Sequence, residues 1–293
     1  MKTSTLAGAA LSLPQKRSWR SPLAFLPGLA LLASLATSSA PGTQAGFSTE
    51  EELKADVDAV PCKDGDRLSA VKSLFEKMGA AASDLSIENY KRVQNVVLTK
   101  RGSSDERIVV GAHYDKTGRG CGAIDNWTGI VAIAHVYKTL KAVPLTKTLV
   151  FVAFGKEEEG LVGSHAMVDA ISKEDLRLYC GMVNIDSLGL AIPQVADNMS
   201  SKKLEELAAS LAKKMSMQYS HASVENAAAD SNSFLARKIP AVTIHGLGND
   251  WPSIIHNAAD QRSKVNSTSV YLGYRLALAM VYSIDKAGCD AFR

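Results

Sequence analysis

The chain has 293 residues, of which 46% are hydrophobic and 22% charged, with 21 Gly and 9 Pro. That excludes a disordered, collagen-like or Pro-rich chain and supplies enough apolar side chain for a sizeable core. The formal charge is +3, but Lys2, Lys16, Arg17 and Arg20 face no acid before Glu50, so the remainder carries one more acid than base, and a near-neutral body gives no electrostatic case for nucleic acid.

Residues 1–45 read as an address. Met1–Arg20 is basic and Ser-rich, Leu23–Ala36 is apolar, and small residues follow. This is the pattern of a secretory signal, with cleavage expected after Ala40 or Ala45. A retained membrane anchor is the alternative, although a spanning helix needs ~20 apolar residues and Pro27-Gly28 interrupts this run. A secreted or periplasmic protein is expected, without stable membrane association after cleavage. In an oxidising compartment the four cysteines, Cys62, Cys121, Cys180 and Cys289, suggest up to two disulfides; no C-x-x-C is present.

No repeat or long linker interrupts 46–293, so one domain is expected. Helical periodicity runs over 68–78. Strand patterns follow at 90–100 and 107–112, then an apolar helix at 128–140. A strand at 148–154, a helix at 160–171 and a strand at 180–185 come next. Amphipathic helices at 201–217 and 267–286 flank a last strand at 241–245. Strands that are continuous apolar runs, alternating with helices, indicate a three-layer α/β/α sandwich around a mostly parallel mixed sheet. Ligand-type residues recur just after these strands: His113 and Asp115, Glu157 to Glu159, Asp186, and His256 in the loop beyond the last. The C-terminal edge is where open α/β sheets bind ligands.

Histidine and carboxylate converging there suit zinc. Two zinc ions ~3.5–4 Å apart need a bridging anion. Asp125, Glu158, Asp186, His113 and His256 make a sufficient set, with Glu157 left over as a general base. Singly each has a plainer reading. His113 can end a strand at the surface, the three Glu can favour a helix N-terminus, and Asp186 or Asp230 can cap a helix. His135 reads as structural; His165 and His221 read as surface residues.

Together the segments GAHYD (111–115), GAIDN (122–126), FGKEEEGLVGS (154–164), NIDSLG (184–189), ADSNSFLARKIPAVTI (229–244) and IIHNAAD (254–260) resemble the M28 family of zinc-dependent aminopeptidases. The resemblance implies two zinc ions per chain. His113 and Asp186 would bind one, Glu158 and His256 the other, and Asp125 would bridge them ahead of a cis peptide bond. Glu157 would be the general base of a hydroxide-driven hydrolysis, and Asp115 would orient the His113 imidazole. Substrates would be peptides with a free N-terminus. Asp230 and His245 are candidate substrate contacts. The chain departs from the family at Ile124, often an acid, and at Ser231, often a His; it also shows no large inserted lid. A single-zinc glutaminyl cyclase and a non-catalytic peptidase-like module are the rival readings. A serine hydrolase is excluded, since no G-x-S-x-G occurs.

Six residues of strand put Cys180 roughly 20 Å from Asp186, and so far from Cys121 near the site. The last helix should return Cys289 toward Cys180. Pairs Cys180–Cys289 and Cys62–Cys121 are therefore expected.

Overall fold

The four apolar runs form neighbouring strands of one sheet in the computed structural model, which describes residues 46–293. The expected export signal lies outside the described residues. In chain order the helices are α1 (Glu50–Asp58), α2 (Asp64–Lys77), α3 (Thr128–Leu140), α4 (Val162–Asp169), α5 (Lys202–Lys214), α6 (Ser231–Ala236) and α7 (Ser267–Lys286). The strands are β1 (Leu85–Tyr90), β2 (Val93–Lys100), β3 (Arg107–His113), β4 (Thr148–Phe154), β5 (Tyr179–Ile185), β6 (Gln194–Ala196), β7 (Ser220–Ala222) and β8 (Ala241–His245). Their order across the sheet is β1-β2-β4-β3-β5-β8-β6-β7. Strands β4, β3, β5 and β8 run parallel, and antiparallel pairings join β2 to β4 and β6 to β8. The sheet is thus mixed with a parallel centre.

Successive side chains of a strand point to opposite faces. Ile108 and Val110 of β3 and Leu149, Phe151 and Ala153 of β4 join one apolar cluster with α1, α2, α3, α5 and α7. Val109, Val150, Val152 and Phe154 join a second with Met167, Val168 and Phe234 from α4 and α6. Two cores, one on each face, make the three layers. Burial on both faces explains why the central strands lack polar alternation. Helix α3 lies deepest, with Lys138 its one half-buried residue. A Cβ on Gly129 would collide with Asn126 Oδ1 and the Ile185 carbonyl, so the small residue lets α3 start against the end of β5.

The strand expected over 90–100 is two strands, with a turn at Lys91-Arg92 between the antiparallel β1 and β2. Helix α1, not expected, is started by Thr49: its Oγ1 accepts from Glu52 N at 3.3 Å, and Glu52 accepts from Thr49 N at 2.9 Å. Ser48 and His135 then fasten this helix to the core. Ser48 Oγ lies 2.7 Å from His135 Nδ1, and His135 Nε2 lies 3.1 Å from Asp56 Oδ2. His135 is fully buried and structural, as its sequence context indicated.

The disulfides are Cys62–Cys121 and Cys180–Cys289, the expected pairs. The first ties the α1–α2 loop to the segment after β3. The second ties the start of β5 to the C-terminal turn, at the opposite sheet edge from Asp186. No helix among the described residues is long and apolar enough to cross a membrane.

Candidate metal centre

The C-terminal ends of β3, β4, β5 and β8 face the same way because these strands are parallel. Their loops therefore deliver polar residues to one place. His113 closes β3, Glu157 and Glu158 follow β4, Asp186 follows β5, and the loop after β8 returns His256. Asp125 sits in the turn that leads into α3. All six line one cavity of about 360 Å³.

The two oxygens of Asp125 face opposite partners. Oδ1 is 3.1 Å from His113 Nε2, and Oδ2 is 2.9 Å from His256 Nε2. On the first side, Asp186 Oδ1 lies 3.5 Å from His113 Nε2; on the second, Glu158 Oε2 lies 3.0 Å from His256 Nε2. Ligand-type atoms of His113, Asp125 and Glu158 fall within 4.8 Å of one another, as do those of His113, Glu157 and Asp186. Glu158 Oε1 is buried and has no hydrogen-bond partner. Four carboxylates and two imidazoles crowded this closely fit a cation: the donor set is nitrogen and oxygen, and one buried acceptor awaits a partner. The residues that can hold it are His113, Asp125, Glu158, Asp186 and His256.

The protonation states of the metal-free protein carry the same crowding. Burial foremost, then Asp186, Asp230 and Asp125, pushes Glu157 up to about 10 against the pull of His113. Burial raises Glu158 as well. Hydrogen bonds that His256 donates to Asp125 and Glu158 hold its pKa up at about 10. Although burial opposes it, the carboxylates of Glu157 and Asp186 raise His113 well above the usual range. Asp125 is driven well below its ordinary value by its two imidazole partners, despite burial.

The backbone around the site is unusual. The Asp125–Asn126 peptide is cis. Lys156, Ser187 and His256 hold positive φ of 56°, 56° and 59°. Each is a ligand-type residue or its neighbour, and left-handed backbone in non-glycine residues clusters at functional sites. Asn126 links the turn to the sheet. Its Nδ2 donates to the Ile185 carbonyl at 2.9 Å, and its Oδ1 accepts from Ser187 N at 3.1 Å.

Asp115 differs from the expected arrangement. The His113 Nδ1–H donates to the Asp115 backbone carbonyl at 3.2 Å, while the Asp115 carboxylate is 3.6 Å from Nδ1. That carboxylate instead accepts from Glu157 N at 3.0 Å and Glu158 N at 3.2 Å. Asp230 is the first of the two candidate substrate contacts. It is 0% exposed, lies outside the cavity lining, and neither of its oxygens has a hydrogen-bond partner. Burial raises its pKa to about 7. Its plainer reading holds in position, since it immediately precedes α6, but no side-chain cap is formed. His245 does line the cavity. Its Nδ1 accepts from Leu247 N at 3.3 Å, which leaves Nε2 to carry the hydrogen, and Nε2 has no partner. Burial lowers its pKa to about 4.

Sequence reasoning missed Asp260. It accepts from Ile124 N at 2.8 Å and from Asp125 N at 3.2 Å, holding the turn that carries Asp125. It closes the IIHNAAD segment, and an acid spaced four residues after His256 was the available signal. The cavity is also lined by apolar residues, among them Met199, Val224, Ala229, Leu247, Trp251 and Ile255.

Known proteins resemble parts of this chain in sequence and in fold. Aminopeptidase YwaD of Bacillus subtilis is 32% identical over 130 residues, 43% of this chain and 27% of that protein. A probable leucine aminopeptidase of Trichophyton verrucosum is 27% identical over 219 residues, 66% of this chain and 58% of that protein. The chain thus spans less than two thirds of the length of these curated relatives. A glutaminyl cyclase structure from an Acidobacteriales bacterium has a TM-score of 0.70 at 18% identity, covering 86% of this chain and 99% of that one, a likeness of fold. The profile of Peptidase family M28 matches residues 95–281, a span that holds every residue of the centre from His113 to His256, and the chain belongs to that family.

Proposed function

We propose that the protein is an exported zinc exopeptidase that hydrolyses the N-terminal peptide bond of peptides with a free amino end. The observation that carries this reading is Asp125 presenting one oxygen to His113 and the other to His256. Such a carboxylate would suit two cations. His113 and Asp186 would hold one zinc, Glu158 and His256 the other, with Asp125 between them. Zinc bound there supplies Lewis acidity, which polarises a carbonyl and makes water a nucleophile at neutral pH.

Glu157 lines the cavity beside these residues without belonging to the ligand set. Positive charge at its neighbours lowers the proton affinity that burial gives it. Its carboxylate then takes a proton from the attacking water and returns it to the leaving amine. Asp115 fixes the backbone of Glu157 and Glu158. His245 stays neutral, and its free Nε2–H is a donor for a substrate carbonyl. The apolar lining accommodates an apolar first side chain. Residues 1–45 would be removed on export, leaving 46–293 as one catalytic domain. Two disulfides suit the oxidising compartment this implies.

The test is hydrolysis of a panel of aminoacyl chromogenic amides by the processed protein and by Glu157→Gln, with zinc measured on the same samples. Two zincs, turnover by wild type and a kcat lower by ~10²–10⁴ in the variant are expected. One zinc with cyclisation of N-terminal Gln would replace the reading by a glutaminyl cyclotransferase. Bound zinc with no turnover of any substrate would replace it by a binding module.

A further inference from the structure

Three separate stretches of backbone around the site meet at one side chain. Arg67, on the first turn of α2, is 0% exposed. Its Nε donates to the Pro61 carbonyl at 3.2 Å. Nη1 donates to Tyr114 O at 3.0 Å and Asp115 O at 3.3 Å. Nη2 donates to Cys121 O at 3.3 Å and to Gly122 O. A guanidinium has five N–H groups, and here each bond ends on a backbone oxygen. The Trp127 ring lies 5.7 Å from its Cζ. Burial lowers its pKa, and the fields of Asp64, Asp260, Asp125 and Asp115 oppose that loss.

The acceptors are not arbitrary. Tyr114 and Asp115 directly follow His113; Cys121 and Gly122 shortly precede Asp125. One of them is shared: the Asp115 carbonyl accepts from Arg67 and also from His113 Nδ1. A hydrogen bond at Nδ1 fixes the tautomer and leaves Nε2 free for a ligand. Arg67 is therefore one atom removed from the imidazole, and it holds Gly122, three residues before Asp125. The Cys62–Cys121 bond runs alongside, next to the Pro61 and Cys121 carbonyls that Arg67 holds.

We propose that Arg67 is a positioning residue of the centre, whose planar fork fixes the distance and orientation between His113 and Asp125. The hydrolase reading is needed only for the kinetic consequence of this role. Lysine keeps the charge but offers three donors from one point, which do not reach three backbone segments.

Arg67→Lys and Arg67→Met are compared with wild type for zinc affinity, by competition with a chromophoric chelator, and for kcat and KM at saturating zinc. Both variants should bind zinc ~10–100-fold more weakly. Zinc-saturated Arg67→Lys should lose kcat by a similar factor, with KM within about twofold. A lower melting temperature with wild-type zinc affinity and kcat in the folded fraction would reduce Arg67 to a structural residue and overturn the proposal. Wild-type affinity in Arg67→Lys would overturn the fork, leaving charge alone. Should neither variant fold, hydrogen exchange of chelator-treated wild type decides. Slow exchange of the Arg67 guanidinium N–H protons supports a brace that works without metal, and free exchange there refutes it. If wild type binds no zinc, the hydrolase reading falls, and the same exchange measurement still judges Arg67.

Discussion

The carboxylate of Asp115 accepts the backbone N–H of Glu157 at 3.0 Å, so an acid at the end of β3 holds the acid that follows β4. Its second oxygen does the same for Glu158 at 3.2 Å. One side chain thereby sets the backbone of the proposed base and of one proposed ligand. In Asp115→Asn an amide NH₂ replaces one acceptor and faces an N–H donor. Zinc should remain bound, and kcat should fall by ~10–100-fold. Steady-state kinetics on samples of known zinc content checks this; an unchanged kcat would show that the loop holds itself.

Zinc uptake should release protons. The metal-free protein keeps His256 protonated up to about pH 10 and His113 well above its usual range. A metal must displace those protons, so apparent affinity should rise by up to about tenfold per pH unit for each proton displaced between pH 6 and 8. Chelator competition at several pH values, with calorimetry in two buffers, measures both quantities. The same shift gives metal-free stability a direction. A histidine raised on folding stabilises fully below about pH 6.5, and that contribution is lost as pH rises through about 10. An affinity independent of pH would contradict both statements.

Acid should act through His245. Below pH 6.5 the unfolded chain takes up a proton at this residue, whereas the folded chain does not until about pH 4. Unfolding then gains a proton, and stability falls as pH falls through that window, by at most ~1.4 kcal/mol per pH unit from this group. His245→Gln should flatten the dependence. Urea midpoints in the presence of chelator at pH 4.5, 5.5 and 6.5 test it, and identical slopes for the two proteins would dismiss the residue as the cause.

The two disulfides should separate stability from metal affinity. Cys180–Cys289 closes 109 residues at the edge away from the site. Its removal as Cys180→Ser/Cys289→Ser should cost about 2–5 kcal/mol and leave zinc affinity unchanged. Cys62–Cys121 lies beside the Asp125 turn, and its removal should weaken zinc binding as well. Equal affinity in both variants would remove the distinction.

The central strands were legible because their burial on two faces leaves an uninterrupted apolar run. The site was legible because parallel strands end together, so residues that follow each run converge. The short strands β6 and β7, three residues each, fall below any periodicity that a sequence can display. Arg67 and Asp260 were not legible as partners of the site. Asp260 acts on Ile124 across 136 residues, and Arg67 reaches backbone carbonyls, which have no side-chain signature. Helix α1 was readable after all: Ser48-Thr49-Glu50-Glu51-Glu52 holds a Thr with a Glu three residues on, ahead of Leu53.

The centre draws on residues 113, 125, 158, 186 and 256, each delivered by a different strand end or loop. No short stretch of nascent chain contains more than a fragment of it. A metal that binds only the finished arrangement rewards completion of the whole sheet, including its last parallel strand, and gives nothing to partly folded forms. Metal supply in the compartment where the protein matures would then govern how much of it survives quality control, before any substrate is met.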